Sequence, residues 1–150
     1  MPFVTLAPVA IGDVMRVRVV TVRPDETAHV AVLRMLEEDV GAVAVCEDAK
    51  LVGIFTERDV LRLEGEGTPL REVRVGDVMT TALVSVTPDV SVTDAAELMG
   101  SRRIRHLPVV VDGHLLGIVG IRDLLGCLVE RLWQAHDEAA HEGARALFKG

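Results

Sequence analysis

The chain has 150 residues, 49% of them hydrophobic and 26% charged, with a formal net charge of −7. This describes a soluble globular protein with one compact domain or a pair of half-domains, and excludes a broad nucleic-acid-binding surface, which needs a basic face. Aromatic residues make up only 3%, so the core has to be built from aliphatic side chains. The basic residues are 14 Arg and 2 Lys, a bias that suits planar recognition of phosphate or carboxylate. Cys46 and Cys127 stand alone and read as small buried hydrophobes in a reducing compartment. No apolar run reaches membrane-spanning length, and Met1-Pro2-Phe3-Val4 lacks the pattern of a signal peptide. Cytoplasmic residence is the expectation.

In chain order, Ile11–Met15 forms a short turn and Val17–Val22 a β-branched strand stopped by Arg23-Pro24-Asp25. Thr27 caps a helix through about Asp39, with Val30, Ala31, Leu33 and Met35 as its apolar stripe. Ala42–Cys46 and Leu51–Phe55 are short strands joined across Glu47-Asp48-Ala49-Lys50. Arg58–Leu63 begins a second helix, ended by Gly65-Glu66-Gly67-Thr68-Pro69. The order then repeats. Val75–Met79 is a turn, Ala82–Val86 a strand, and Ser91 caps a helix through about Ser101. His106–Val111 and Leu115–Val119 form a hairpin over Asp112-Gly113-His114. A last helix starts near Arg122 and extends through Leu128–Leu147, with a break expected at Gly143.

This repetition is quantitative. Shifted by 64 residues, Ile11–Leu61 aligns with Val75–Leu125 without a gap, and 18 of the 51 pairs are identical. Each unit is β-α-β-β-α and too small to bury a good core alone, so the two should pack together and place a ligand between them. The expected class is therefore α/β (α+β), divided as residues 1–68, 69–127 and a helical tail 128–150.

Two strings recur in register: Asp39-Val40-Gly41-Ala42-Val43-Ala44-Val45 with Leu51-Val52-Gly53-Ile54-Phe55-Thr56-Glu57-Arg58-Asp59, and Arg103-Ile104-Arg105-His106-Leu107-Pro108-Val109-Val110 with Leu116-Gly117-Ile118-Val119-Gly120-Ile121-Arg122-Asp123. Through them the chain resembles a tandem pair of cystathionine-β-synthase (CBS) domains, a Bateman module, over about Ile11–Leu125. The resemblance implies two repeats about a pseudo-twofold axis, two related clefts for AMP, ADP or ATP, with S-adenosylmethionine or NAD as alternatives, and frequent homodimers. It also implies control of an unidentified partner protein, with no cofactor required.

The candidate nucleotide-binding residues are Thr56, Arg58, Asp59, Thr80, Ala82, Arg105, His106, Arg122 and Asp123. By the resemblance, Thr56 meets phosphate and Asp59 the ribose hydroxyls. Arg105 and His106 open a strand where the family places phosphate contacts facing the cleft; separately from the resemblance, main-chain groups near Thr80–Ala82 are expected to read adenine. Thr56-x-x-Asp59 is also the pattern of a helix capping box. Gly120 replaces the Thr in the second copy, which departs from the family pattern. Arg58 and Arg122 meet either phosphate or solvent. The Asp59 site is expected to be the stronger; the second centres on Asp123, with Arg122 and Arg16–Arg18 nearby. Arg102 and Arg103 suit a helix end. His136 and His141 are five apart, so a metal site is not expected, and Trp133 reads as an anchor against the body or a second subunit. No nucleophile motif, Walker loop or tuned acid–base pair is present, so no catalytic residue is expected. The competing reading is a structural or dimerisation module with degenerate clefts.

Overall fold

The computed structural model describes residues 7–147; Met1–Val4 and the last residues of the tail lie outside them. The first repeat contains β1 (Thr21–Val22), α1 (Ala28–Glu38), β2 (Ala42–Glu47), β3 (Lys50–Thr56) and α2 (Glu57–Gly65). The second begins with the short α3 (Val75–Val78) and continues through α4 (Val92–Arg102), β4 (His106–Val111), β5 (His114–Gly120) and α5 (Ile121–Leu147). The counterpart of α3 is a 3₁₀ turn at Ile11–Asp13.

Matching sequence produces matching ends. Thr27 and Ser91 cap α1 and α4 by accepting from the N–H groups of Val30 at 3.2 Å and Asp94 at 3.1 Å, which satisfies donors that the first turn leaves free. Both helices stop at a left-handed residue, Asp39 and Arg103, with φ of 52° and 54°. The two hairpins also turn left-handed, at Asp48 and Ala49 in one and Asp112 and Gly113 in the other. This is the turn geometry that matches strand twist.

The sheet order is β1-β2-β3-β5-β4. The hairpins β2–β3 and β4–β5 are antiparallel and meet at their tips, where Lys50 pairs with His114. A longer-range exchange joins the repeats. Ile11 donates to the Val90 carbonyl and Gly12 to Pro88, while Val75 donates to Glu26 and Gly76 to Pro24. Arg16 exchanges two backbone bonds with Ile118 on β5, and Thr80 two with Ile54 on β3. Each repeat's leading segment therefore lies on the other repeat. The cores follow: Ile11 is buried with Leu107, Val109, Val119 and Leu124, and Val75 with Val43, Val45, Phe55 and Leu63. Gly117 permits this approach, because a Cβ there would stand 2.8 Å from the Arg16 carbonyl oxygen.

Several local expectations are corrected. The Val17–Val22 strand contracts to Thr21–Val22, and Ala82–Val86 to a single parallel bridge between Val86 and Val109. The backbone before these points is committed instead to the crossed contacts of Arg16 and Thr80. Leu33 is half exposed and Leu36 more so, because α1 turns Ala28, Ala31 and Met35 inward. The last helix continues through Gly143 to Leu147. Cys46 and Cys127 are only partly buried; burial nevertheless pushes the Cys46 thiol pKa up. Trp133 does not anchor to the body; it is 66% exposed and meets His136 edge-on.

Candidate functional site

A strand that runs directly into a helix leaves unpaired N–H groups at the junction. This happens twice at equivalent places, where β3 enters α2 at Thr56 and β5 enters α5 at Gly120. Each helix carries an aspartate in its first turn, Asp59 and Asp123.

At the first junction the capping box is fully formed. Oδ2 of Asp59 accepts from the Thr56 N–H at 2.9 Å and the Thr56 hydroxyl at 3.2 Å, and Thr56 Oγ1 accepts from the Asp59 N–H at 3.5 Å. Oδ1 accepts from the Thr80 hydroxyl at 3.3 Å and lies 3.6 Å from an Arg62 guanidinium nitrogen. Asp59 is buried. A buried carboxylate needs such partners, so Asp59 has a structural role before any ligand is considered.

The second junction keeps half of the box. Asp123 Oδ2 accepts from the Gly120 N–H at 3.1 Å. The absence of Thr at 120 therefore does not leave Asp123 idle as a cap. Oδ1 accepts from both Nε and Nη2 of Arg16, each at 3.3 Å. This side chain is more open than Asp59, at 21% exposure against 10%. Arg16 thus stands where sequence placed it, near Asp123, whereas Arg18 turns away to Glu38.

His106 lies at the seam between the junctions. A Cβ built on Gly41 would come 3.4 Å from its Cε1 and 2.8 Å from Glu57 Oε1, and a Cβ built on Gly120 would come 3.6 Å from its Cδ2. Burial pulls the His106 pKa below the ordinary imidazole range, opposed by the charges of Glu57 and Asp123 and assisted by Arg105. At neutral pH the ring is a neutral hydrogen-bonding group rather than a cation.

Among the expected site residues, Thr56, Asp59 and Thr80 are in direct contact. Arg58 is exposed and reaches the Arg103 carbonyl in the other repeat at 3.5 Å. Arg105, Arg122 and Ala82 are exposed. The Thr80 main chain is already paired with Ile54, so its hydroxyl, rather than its backbone, is the group presented to the site. Arg62 and Glu57 were not anticipated. Arg62 is three residues beyond Asp59 on the same helix face, a spacing that could have revealed it.

Comparison with known proteins agrees with the paired architecture. The CBS domain profile matches residues 11–66 and 75–130. The CBS domain-containing protein YhcV of Bacillus subtilis is 40% identical over 116 residues, covering 77% of this chain and 82% of YhcV. The chain spans only 61%, 54% and 36% of three longer curated relatives. The crystal structure of the CBS domain NE2398 superimposes with a TM-score of 0.78 at 31% identity, over 82% of this chain and 99% of that one. The CBS pair of protein MJ0100, solved with 5′-methylthioadenosine and S-adenosyl-L-methionine, has a TM-score of 0.77 at 20% identity, over 83% of this chain and 98% of that one; it establishes shared fold only. Two crossed repeats, each matched by this profile, place the chain in the CBS-domain family, as a tandem CBS pair, a regulatory module.

Proposed function

We propose that this pair senses an adenosine-containing ligand, AMP or ATP in the first instance, at the Asp59 and Asp123 junctions, and passes its occupancy to a partner protein. One observation carries the reading: each aspartate is held by a side chain from the segment that belongs to the other repeat, Asp59 by Thr80 and Asp123 by Arg16. A ribose diol that takes the carboxylate displaces that contact. Binding is thereby coupled to the fit between repeats, and a ligand that favours one fit over the other shifts the equilibrium between them. Thr56, Arg58, Arg105, His106 and Arg122 are the candidate contacts for such a ligand, and Ala82 is an exposed main-chain position for the base. S-adenosylmethionine and NAD share the adenosine group and belong to the same test.

The pair is also proposed to act as a homodimer, without catalysis, in the cytoplasm. Leu61 on α2 and Leu125 on α5 are equivalent positions, 74% and 53% exposed, and Val129, Leu132 and Trp133 continue the apolar stripe along α5. A second copy that presents the same stripe would cover it through a twofold contact. Sedimentation with Leu125→Glu tests this: the wild type sediments as a dimer and the variant as a monomer.

The competing reading, a structural module, is favoured by the saturated capping box at Asp59. The deciding experiment is a thermal-shift titration with AMP, ADP, ATP, S-adenosylmethionine, NAD and NADH. A ligand confined to the folded state stabilises it by about 2.7 kcal/mol at a hundredfold excess over Kd. A shift that Asp59→Asn and Asp123→Asn reduce supports sensing. No shift with any of them supports the structural module. Asn is the required substitution, because Asp59→Ala breaks the capping box and leaves buried donors unpaired, which destabilises the protein whether or not a ligand binds.

A further inference from the structure

The two carboxylates differ in what holds them, and the difference lies at one aligned position. Thr80 and Arg16 are equivalent in sequence and in backbone bonding, one laid on Ile54 and the other on Ile118. From that shared place Thr80 offers Asp59 a neutral hydroxyl, whereas Arg16 offers Asp123 a guanidinium. Both Arg16 nitrogens converge on one oxygen, Oδ1, while Oδ2 is occupied by the Gly120 N–H. This is not the parallel two-oxygen fork that makes an Arg–carboxylate pair strong. The Arg16 side chain is also 59% exposed, and pairs of this kind hold weakly. The guanidinium is therefore easily released.

Space and charge point the same way. A Cβ on Gly120 would stand in ordinary contact, 3.5 Å from Asp123 Oδ2 and 3.6 Å from His106 Cδ2, so the second junction simply lacks the hydroxyl and methyl that Thr56 brings to the first. Arg122 on the first turn of α5 matches Arg58 on α2, and Asp123 matches Asp59; the charge difference is Ile121 in place of Glu57, which leaves the second junction one acid fewer.

We infer that Arg16 makes the Asp123 junction the site for a phosphate-bearing adenosine ligand, while the Asp59 junction takes an adenosine ligand without phosphate. Building on the adenosine reading, the exchange runs as follows. The ribose hydroxyls take Oδ1 of Asp123, and the released Arg16 guanidinium turns to the phosphate, so the arginine trades one anion for another. A ligand without phosphate would send Arg16 to water and gain nothing in return. At Asp59 the diol displaces the Thr80 hydroxyl, and Arg62, 3.6 Å from the same oxygen, stays held by the Val78 carbonyl and Glu66. This differs from the expectation drawn from sequence, in which Thr56 met the phosphate at the Asp59 site.

The test is calorimetric titration of the full chain with AMP and, separately, with adenosine, for the wild type, Arg16→Thr and Arg16→Lys. Arg16→Thr copies the residue that nature uses at 80, and a melting curve verifies folding. The expected result is loss of AMP affinity by about tenfold or more at one site, the scale of a hydrogen bond to a charged group, with adenosine affinity at the Asp59 site unchanged. Arg16→Lys should fall between, keeping the charge but not the fork. Raised salt should weaken AMP binding in the wild type more than in Arg16→Thr. AMP affinity that is unchanged or tighter in Arg16→Thr would overturn the inference while leaving adenosine sensing intact, since Arg16 would then merely occupy Asp123. A wild type that binds neither ligand would remove both.

Discussion

Ile11 belongs to the first repeat by sequence, but its side chain is completely buried in the core of the second. Ile11→Ala removes three carbon atoms from a site that cannot reach water. Transfer alone accounts for about 0.8 kcal/mol per buried methylene, roughly 2.4 kcal/mol in all. The residual cavity adds to this, so about 3–4 kcal/mol of stability should be lost, within the range for such truncations. Chemical denaturation gives the total. Hydrogen exchange monitored by mass spectrometry then locates the damage. Exchange should accelerate most in peptides that contain Leu107–Val109, Val119 and α4, which surround Ile11, while Val43–Val45 and Phe55 stay comparatively protected. Val75→Ala should give the mirror image. A loss below about 1 kcal/mol, or acceleration confined to the repeat that contains the mutation in sequence, would refute the crossed packing.

Other outcomes follow from particular contacts. Ala49 sits at φ 66° in its hairpin, where the other repeat has Gly113 at φ 79°; Ala49→Gly should stabilise the protein by about 1 kcal/mol in a denaturant melt, since a Cβ is disfavoured in that region. Gly117→Ala should cost about 1–3 kcal/mol as an overpacking change, because a Cβ there would meet the Arg16 backbone. Gly53→Ala should cost less, because only the flexible Met79 side chain obstructs it. The depressed His106 pKa means that, between its folded value and the ordinary value of about 6.5, the unfolded chain binds a proton that the folded chain does not. Stability should therefore fall as pH drops through 6.5 and level off below the folded pKa. His106→Gln should flatten that part of the profile measured by denaturant melts.

The elements that sequence made legible are those set by local chemistry. Thr27 and Ser91 announce helix starts through their hydroxyls, and Asp112-Gly113 announces its turn. The 64-residue repeat announces two equivalent strand-to-helix junctions. Local pattern could not reveal which repeat each leading segment would pack against, because an alignment of two similar units is silent on exchange between them. The Ala82–Val86 strand failed for that reason: β-branched residues favour extended backbone, but the segment's partner is fixed by the bridge at Thr80 and leaves only Val86 to pair. Leu33 shows a related limit. An apolar residue at helical spacing names a face, yet Ala28, Ala31 and Met35 supply the close-packed face, and Leu33 stays outside.

At the site, Asp59 and Asp123 were visible as a recurrent residue type. The contrast between their partners was not, since it spans 21 residues in one case and 107 in the other. The capping box explains why sequence alone could not assign Asp59 a single purpose. The same carboxylate stabilises the first turn of α2 through Oδ2 and would meet a ribose through Oδ1.

The central claim is that the two junctions are unequal adenosine sites whose occupancy is coupled to the fit between repeats. Calorimetric titration with AMP addresses it most directly, on full-length protein first shown by mass spectrometry of a denatured extract to carry no nucleotide. The account predicts saturable heat with at least one AMP per chain, weakened by Arg16→Thr and by Asp123→Asn. The absence of saturable binding for AMP, ATP and adenosine on such protein would contradict it and leave the chain a structural CBS pair.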